Sequence, residues 1–403
     1  MRYLLMPSPG AVRGGYLQAS AGTAATWGGF ALGRVLRPST KVLPEHARRH
    51  NRALVLQTLY GHRGQSRADI ARVTGLTRPT VSDLVAELTA EGFVIELGPS
   101  VDVRPGKPAR LLDINRSGFQ IVGIDLSDHR VLRGAILDLD GQILSRAEIG
   151  LENSAGDETT AKLVTLVGML IAQATATIIG IGVGSPGIVD LDGVVLSAPN
   201  LGWAQEPLSA RLTERFGLPV VVSNDANVAV LAEHSFGSAS SDIMLIKIGR
   251  GLGAGMLLGG TLLFGSRFAA GEIGHVVVDS GGDECVCGKR GCLETWLAAP
   301  RIEARLATAA TEAERTHILR EAGEHLGIAL AAVVGALNLS EIVLSGPVDL
   351  LDGPLAESTL ETLRDRTMTK YHGDLILRMT NLGEDIVMRG AAVMVLSREL
   401  GVS

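Results

Sequence analysis

Every cysteine of this 403-residue chain falls within eight positions, Cys285-Val286-Cys287-Gly288-Lys289-Arg290-Gly291-Cys292, and His275 lies ten positions upstream of the first. Three thiols and one imidazole form a complete tetrahedral donor set for a structural zinc ion, leaving no coordination position for water. Gly288 and Gly291 permit the tight backbone path that a knuckle around a small ion needs. His275, Cys285, Cys287 and Cys292 are expected to hold structural Zn2+. Cysteines grouped as metal ligands also point to a reducing compartment, because a secreted chain would use them in disulfides.

No stretch reaches the roughly 18 apolar residues of a membrane span, and the start lacks a long apolar core with a cleavage site. A cytoplasmic location without membrane attachment is expected. The length exceeds what one core organises, so several domains are expected. Charge is distributed unevenly: residues 1–115 carry 15 Lys/Arg against 8 Asp/Glu, residues 116–403 carry 22 against 35, and the net is −6. A basic module precedes an acidic body, which fits a polyanion such as DNA as partner of the N-terminal part.

Residues 1–44, rich in Gly, Ala, Ser and Pro without periodicity, read as a disordered extension. Residues 45–115 read as a separate winged helix-turn-helix module. A first helix over 45–61 offers Ala53, Leu54, Leu56 and Leu59 to a core. Ser66-Arg67-Ala68-Asp69 is a capping-box pattern opening a short helix with Ile70 and Val73 on its apolar face, and Gly75 ends it. Thr77 caps a third helix, with Pro79 in its first turn and Val81, Leu84, Val85 and Leu88 at core spacing. That leaves Arg78, Thr80 and Ser82 outward, where a recognition helix meets base edges. Two short strands, 93–97 and 110–114, flank a wing tip carrying Arg104 and Lys107, placed to grip phosphates or enter a minor groove.

From Gln120 onward strands, glycine turns and helices alternate, an α/β signature. Strands are expected over 120–125, 131–138, 143–149, 178–183, 220–223, 243–248 and 342–344, with a small-residue helix over about 321–339.

In this body Asn224-Asp225-Ala226-Asn227, Glu272-Ile273-Gly274-His275 and Cys285-x-Cys287-Gly288-x-x-Gly291-Cys292-x-Glu294 follow in that order, with Gly184-Ser185-Pro186-Gly187 and Pro199-Asn200-Leu201-Gly202-Trp203 upstream. On these motifs the chain resembles the ROK family, from about residue 45 to the end. That family joins bacterial sugar kinases of actin-like, two-lobed fold to sugar-responsive repressors bearing an N-terminal winged helix. The resemblance implies one lobe over 116–230 plus 384–403, and a second over 231–383 containing the zinc knuckle.

Asn224, Asp225, Glu272, His275 and Glu294 suit a sugar on their own terms, because carboxylates and amides pair with vicinal hydroxyls. The resemblance implies that Asp225 faces the hydroxyl that kinases phosphorylate. It further implies that Glu272, His275 and Glu294 meet other hydroxyls, with His275 using one ring nitrogen for sugar and the other for zinc. Asn200, Pro186 and Gly187 are expected as further contacts. Kinases of the family resemble Asp-x-Gly-Gly-Thr after the first strand, where glycines let backbone N–H groups approach phosphates. Here the residues are Asp125-Leu126-Ser127-Asp128-His129, and Arg250 enters the second glycine loop, Gly249 to Gly255.

The expectation is a non-enzymatic, sugar-responsive regulator of carbohydrate uptake or catabolism genes, most simply a repressor. It would be a dimer or tetramer on a pseudo-palindromic operator. The alternatives are an active ATP-dependent sugar kinase that also binds DNA, and a DNA-binding regulator governed by a protein partner.

Overall fold

The structure, a computed structural model, describes residues 44–99 and 108–402. The expected extension lies outside the described residues except for Pro44, which already belongs to α1 (Pro44–Gly61). β1 (Gln65–Ser66), α2 (Arg67–Thr74), α3 (Arg78–Ala90), β2 (Val94–Pro99) and β3 (Arg110–Ile114) complete a winged helix with sheet order β1-β3-β2. The capping box is present, Ser66 Oγ accepting from Asp69 N and Asp69 accepting from Ser66 N. Gly75 ends α2 in the left-handed region, and the Thr77 side chain caps α3. Val81, Leu84, Val85 and Leu88 are buried as expected, together with Val55, Leu56, Leu59 and Ile70. Val73 is a correction, being 61% exposed. α2 buries Ile70 and packs Ala71 beside it, and at 100° per residue Val73 falls off the far side of that stripe.

The body runs β4 (Phe119–Asp125), β5 (Val131–Leu137), β6 (Ile143–Gly150), α4 (Asp157–Gln173), β7 (Thr177–Ser185), β8 (Ile188–Val189), β9 (Val195–Ala198), β10 (Trp203–Glu206), α5 (Leu208–Phe216), β11 (Val220–Asn224) and α6 (Asp225–Phe236). It continues through β12 (Ile243–Ile248), β13 (Leu252–Leu258), β14 (Thr261–Leu262), α7 (Leu293–Leu297), α8 (Ala299–Leu306), α9 (Glu312–Leu337), β15 (Glu341–Ser345), α10 (Val348–Leu351), α11 (Pro354–Arg366), α12 (Thr369–His372), β16 (Ile376–Met379) and α13 (Ile386–Leu400). Two five-stranded sheets share one plan. In β6-β5-β4-β7-β11 and in β14-β13-β12-β15-β16, a three-strand antiparallel meander is followed by two parallel strands. Parallel additions need crossover segments, and the long helices between strands supply them.

α6 and α13 form the layer between the sheets, where Val228, Ala229, Val387, Ala391 and Met394 meet Val221 of the first sheet and Ile243, Leu245 and Val343 of the second. α13 lies unusually close to the first sheet. A Cβ on Gly182 would sit 2.1 Å from the Ala391 carbonyl oxygen and one on Gly123 2.5 Å from that of Met388, so only glycine fits beneath the helix.

The winged helix is not packed as a separate module. Its buried residues form one hydrophobic cluster with Ile121, Ala135 and Leu137 of the first sheet and Met388, Ala392, Val395, Leu396 and Leu400 of α13. Arg116 stacks over the Tyr60 ring at 4.9 Å, donates to the Tyr60 carbonyl and pairs with Asp140. The expectation of an independent module overlooked α13, which apart from Arg389 is apolar from Ile386 to Leu396 and must be covered from both sides.

Candidate functional site

The carboxylates converge where the two sheets face each other. Asp125 ends β4 in register with Gly184 of β7, and Asn224 ends β11 in register with Ser185. Asn224 is the N-cap of α6, its Oδ1 accepting from Ala226 N at 2.9 Å and Asn227 N at 3.1 Å. Its amide donates to the Gly187 carbonyl at 2.8 Å, which fastens the Ser185-Pro186-Gly187 turn to the helix start. Much of the Asn224 side chain is thus spent on the backbone, leaving one amide hydrogen for a ligand. Asp225 follows in the first turn, a favourable place for an anion.

From the second sheet, β12 delivers Lys247, whose ammonium lies 3.0 Å from Asp225 Oδ2. Burial works against the Lys247 charge, yet Asp225 and then Asp125 outweigh it and raise its pKa above the ordinary lysine value. Asp125 is buried, which raises its pKa, while Lys247 opposes that effect and Ser127 N–H donates to it at 2.8 Å. Lys247 is the residue that sequence reasoning missed. The available signal was a lone lysine inside the apolar run Ile243-Met244-Leu245-Ile246-Lys247-Ile248.

Glu272 and Glu294 close the other side. Glu294 sits in the first turn of α7 and accepts from Leu252 N at 3.1 Å, against the second glycine loop. The Glu272 carboxyl is pushed up first by burial, then by Asp225 and Glu294, while His275 opposes them. Asp225, His275 and Glu294 thus all act electrostatically on the Glu272 carboxyl. Asn200 is exposed on a 3-10 turn, and no hydrogen bond joins its side chain to this group among the described residues. Burial and then the Arg250 charge of the second glycine loop depress the His129 pKa in the first loop.

The Cys/His cluster adjoins two of these carboxylates in the chain, His275 lying three residues after Glu272 and Cys292 two before Glu294. The four donor atoms of His275, Cys285, Cys287 and Cys292 all fall within 4.8 Å of one another. Cys285 Sγ is 3.5 Å from His275 Nδ1, and Cys287 Sγ is 3.6 Å from Cys292 Sγ. A tetrahedral ion with bonds of 2.0–2.3 Å separates its ligand atoms by about 3.3–3.8 Å, so the set fits one metal ion. Burial pushes the Cys292 thiol up to about 12, and such a thiol ionises at neutral pH only beside a cation. Gly291 holds the knuckle closed at φ +68°, with no room for a Cβ against the Asp279 carbonyl oxygen. Cys292 is also the N-cap residue of α7, two residues before Glu294. A metal ion here would fix Glu294 from one side and His275 from the other.

On the winged helix, Arg78 and Ser82 are exposed at the start of α3. Thr80 is half-buried with its hydroxyl 2.8 Å from that of Thr77. Arg104 and Lys107 lie outside the described residues. A crevice of about 320 Å³ opens where α1, α6 and α13 meet, lined by Tyr60, His234, Phe236 and Val393. It has no carboxylate and marks the seam between winged helix and body, away from the cleft.

Comparison with known proteins agrees with this architecture. Residues 121–398 match the model of the ROK family, and residues 50–104 match that of the MarR family. The chain is 31% identical over 386 residues to a putative xylose repressor of Caldicellulosiruptor sp., covering 86% of this chain and 95% of that protein. It is 30% identical over 316 residues to a glucokinase of Halalkalibacterium halodurans, covering 69% of this chain and 95% of the enzyme. Among solved structures it resembles a ROK family transcriptional regulator described as a homolog of the E. coli MLC protein, with 26% identity, a TM-score of 0.78, and coverage of 89% of this chain and 98% of that one.

Proposed function

Because the chain belongs to the ROK family, we propose that it is a cytoplasmic, sugar-responsive DNA-binding regulator that represses carbohydrate uptake or catabolism genes. The observation that carries this reading is the single hydrophobic core uniting the winged helix with α13, which in turn packs on α6, the helix that starts at Asp225. A ligand that moves the start of α6 therefore acts on the base of the DNA-binding element without an intervening linker. Residues 116–230 with 384–403 form one lobe and 231–383 the other, and sugar binds between them.

Asp225, Glu272 and Glu294 accept from sugar hydroxyls, His275 contributes its remaining ring nitrogen, and Asn224, Asn200, Pro186 and Gly187 complete the contacts. His275, Cys285, Cys287 and Cys292 hold one structural Zn2+, a role that suits a closed set of soft ligands. Arg78, Thr80 and Ser82 face the major groove, and Arg104 and Lys107 of the wing engage the backbone or minor groove. Two copies in a dimer or tetramer read a pseudo-palindromic operator.

The relation to a glucokinase favours a second reading, an active sugar kinase that also binds DNA. Against it stand Ser127 and Asp128 where kinases have glycines, the second of them placing a carboxylate where a polyphosphate would lie. Leu126 is fully buried in the core of the first sheet, so the loop is pinned by its side chain. Titrating operator binding by the full chain with single sugars, alongside an assay of sugar-dependent ATP consumption, separates the two. Operator affinity that changes with sugar and no ATP turnover is expected, and sustained turnover would replace this reading by the kinase.

A further inference from the structure

β12 is the central strand of its sheet, and its side chains alternate between two cores. Met244, Ile246 and Ile248 join the cluster beneath α7, α8 and α9, while Ile243 and Leu245 join the layer of α6 and α13. Lys247 continues the second row. Its partners across the ladder are Gly253 and Ser345, which leave space for the stem.

A lysine is a poor choice here on structural grounds alone. Its charge is taken largely out of water, the side chain being 21% exposed, and it lies near the N-terminus of α6, where the helix dipole repels cations. A methionine would fill the same space without either cost. What Lys247 gains is Asp225. One Asp225 oxygen shares the Ala226 N–H with Asn224 Oδ1, accepting at 3.0 Å, and the other meets the Lys247 ammonium at 3.0 Å. Two fixed partners on two oxygens leave the carboxylate one orientation, with lone pairs still open toward the cleft. The same contact joins β12 of the second sheet to the helix that follows β11 of the first.

We propose that Lys247 is a positioning residue for ligand recognition: its ammonium sets the Asp225 carboxylate for a sugar hydroxyl and ties the two sheets together at the floor of the cleft. This rests on the reading of the cleft as a sugar site. Lys247 acts through Asp225, so its effect on affinity vanishes when Asp225 no longer carries charge.

The test uses full-length protein with D-xylose, D-glucose and N-acetyl-D-glucosamine, each titrated singly by calorimetry, and circular dichroism to verify folding. For the sugar that binds wild type, Lys247→Met weakens affinity about tenfold or more, the scale of a charge-assisted contact. Lys247→Arg restores it to within about threefold of wild type. In an Asp225→Asn background, Lys247→Met has little further effect, because coupled residues are not additive. Unchanged affinity in Lys247→Met, or an equal loss with and without the Asp225 charge, would overturn the proposal. Should Lys247→Met fail to fold, Lys247→Gln takes its place in the same cycle with the same expected pattern. If none of the three sugars binds wild type, the sugar reading of the cleft fails for these ligands, and the role given to Lys247 falls with it.

Discussion

Tyr60 of the winged helix donates its hydroxyl to the Leu139 carbonyl in the β5–β6 turn at 2.6 Å. Burial raises the phenol pKa to about 12, so it stays a donor throughout the physiological range. This bond lies on the seam between the winged helix and the body.

Tyr60→Phe keeps the ring and its packing and loses the bond, at a cost of about 0.5–1.5 kcal/mol in stability. The change in operator affinity on adding sugar is expected to shrink with it. Thermal melting and operator titrations with and without sugar read both effects. A winged helix acting independently of the body would show the melting shift alone.

Elemental analysis of purified protein is expected to return about one zinc per chain. Cys287→Ser opens the set and should lower metal content, melting temperature and sugar affinity together, because the same loop carries His275 and leads into Glu294. Metal-free protein with full sugar affinity would remove the structural role assigned to the ion.

Arg78→Ala is expected to cost about 1–3 kcal/mol of operator binding if the side chain reads a base, with the loss concentrated at one position of the site. Lys107→Ala should instead weaken binding evenly across sequences and flatten the salt dependence by about one ion. Binding measured at several salt concentrations on operator variants separates the two patterns.

Asp225→Asn removes one charged acceptor of the proposed sugar site and the counter-charge of Lys247. Sugar affinity should fall by tenfold or more, since a charge-assisted hydrogen bond is about twice as strong as a neutral one. The expected phenotype is a repressor that holds its operator in the presence of sugar. Neither this variant nor wild type should form phosphorylated sugar, and product from wild type that disappears in the variant would mark Asp225 as a catalytic base.

Much of the winged helix was legible because its signals are local. Ser66 and Asp69 cap each other across three residues, Gly75 terminates α2 where a positive φ is required, and Thr77 caps α3. Val73 was misjudged because the buried stripe of the eight-residue α2 runs through Ile70 and Ala71, and Val73 falls outside it. Most expected strands of the body fell within one or two residues of those observed. The helix expected over about 321–339 begins instead at Glu312, under a Thr311–Glu314 capping box that went unread.

By itself the sequence determined the Cys/His cluster, the helix-turn-helix, the strand and helix types and the family, because each depends on residues close in the chain or on fixed motif spacing. The tertiary structure decided three other things: the pairing of Lys247 with Asp225, the repetition of one sheet plan in both halves, and the burial of α13 between body and winged helix. The physical reason is the same for all three. A salt bridge across sheets, a strand order and the covering of a largely apolar helix arise from contacts between distant segments, and α13 carries no periodic stripe to say which segments will cover it.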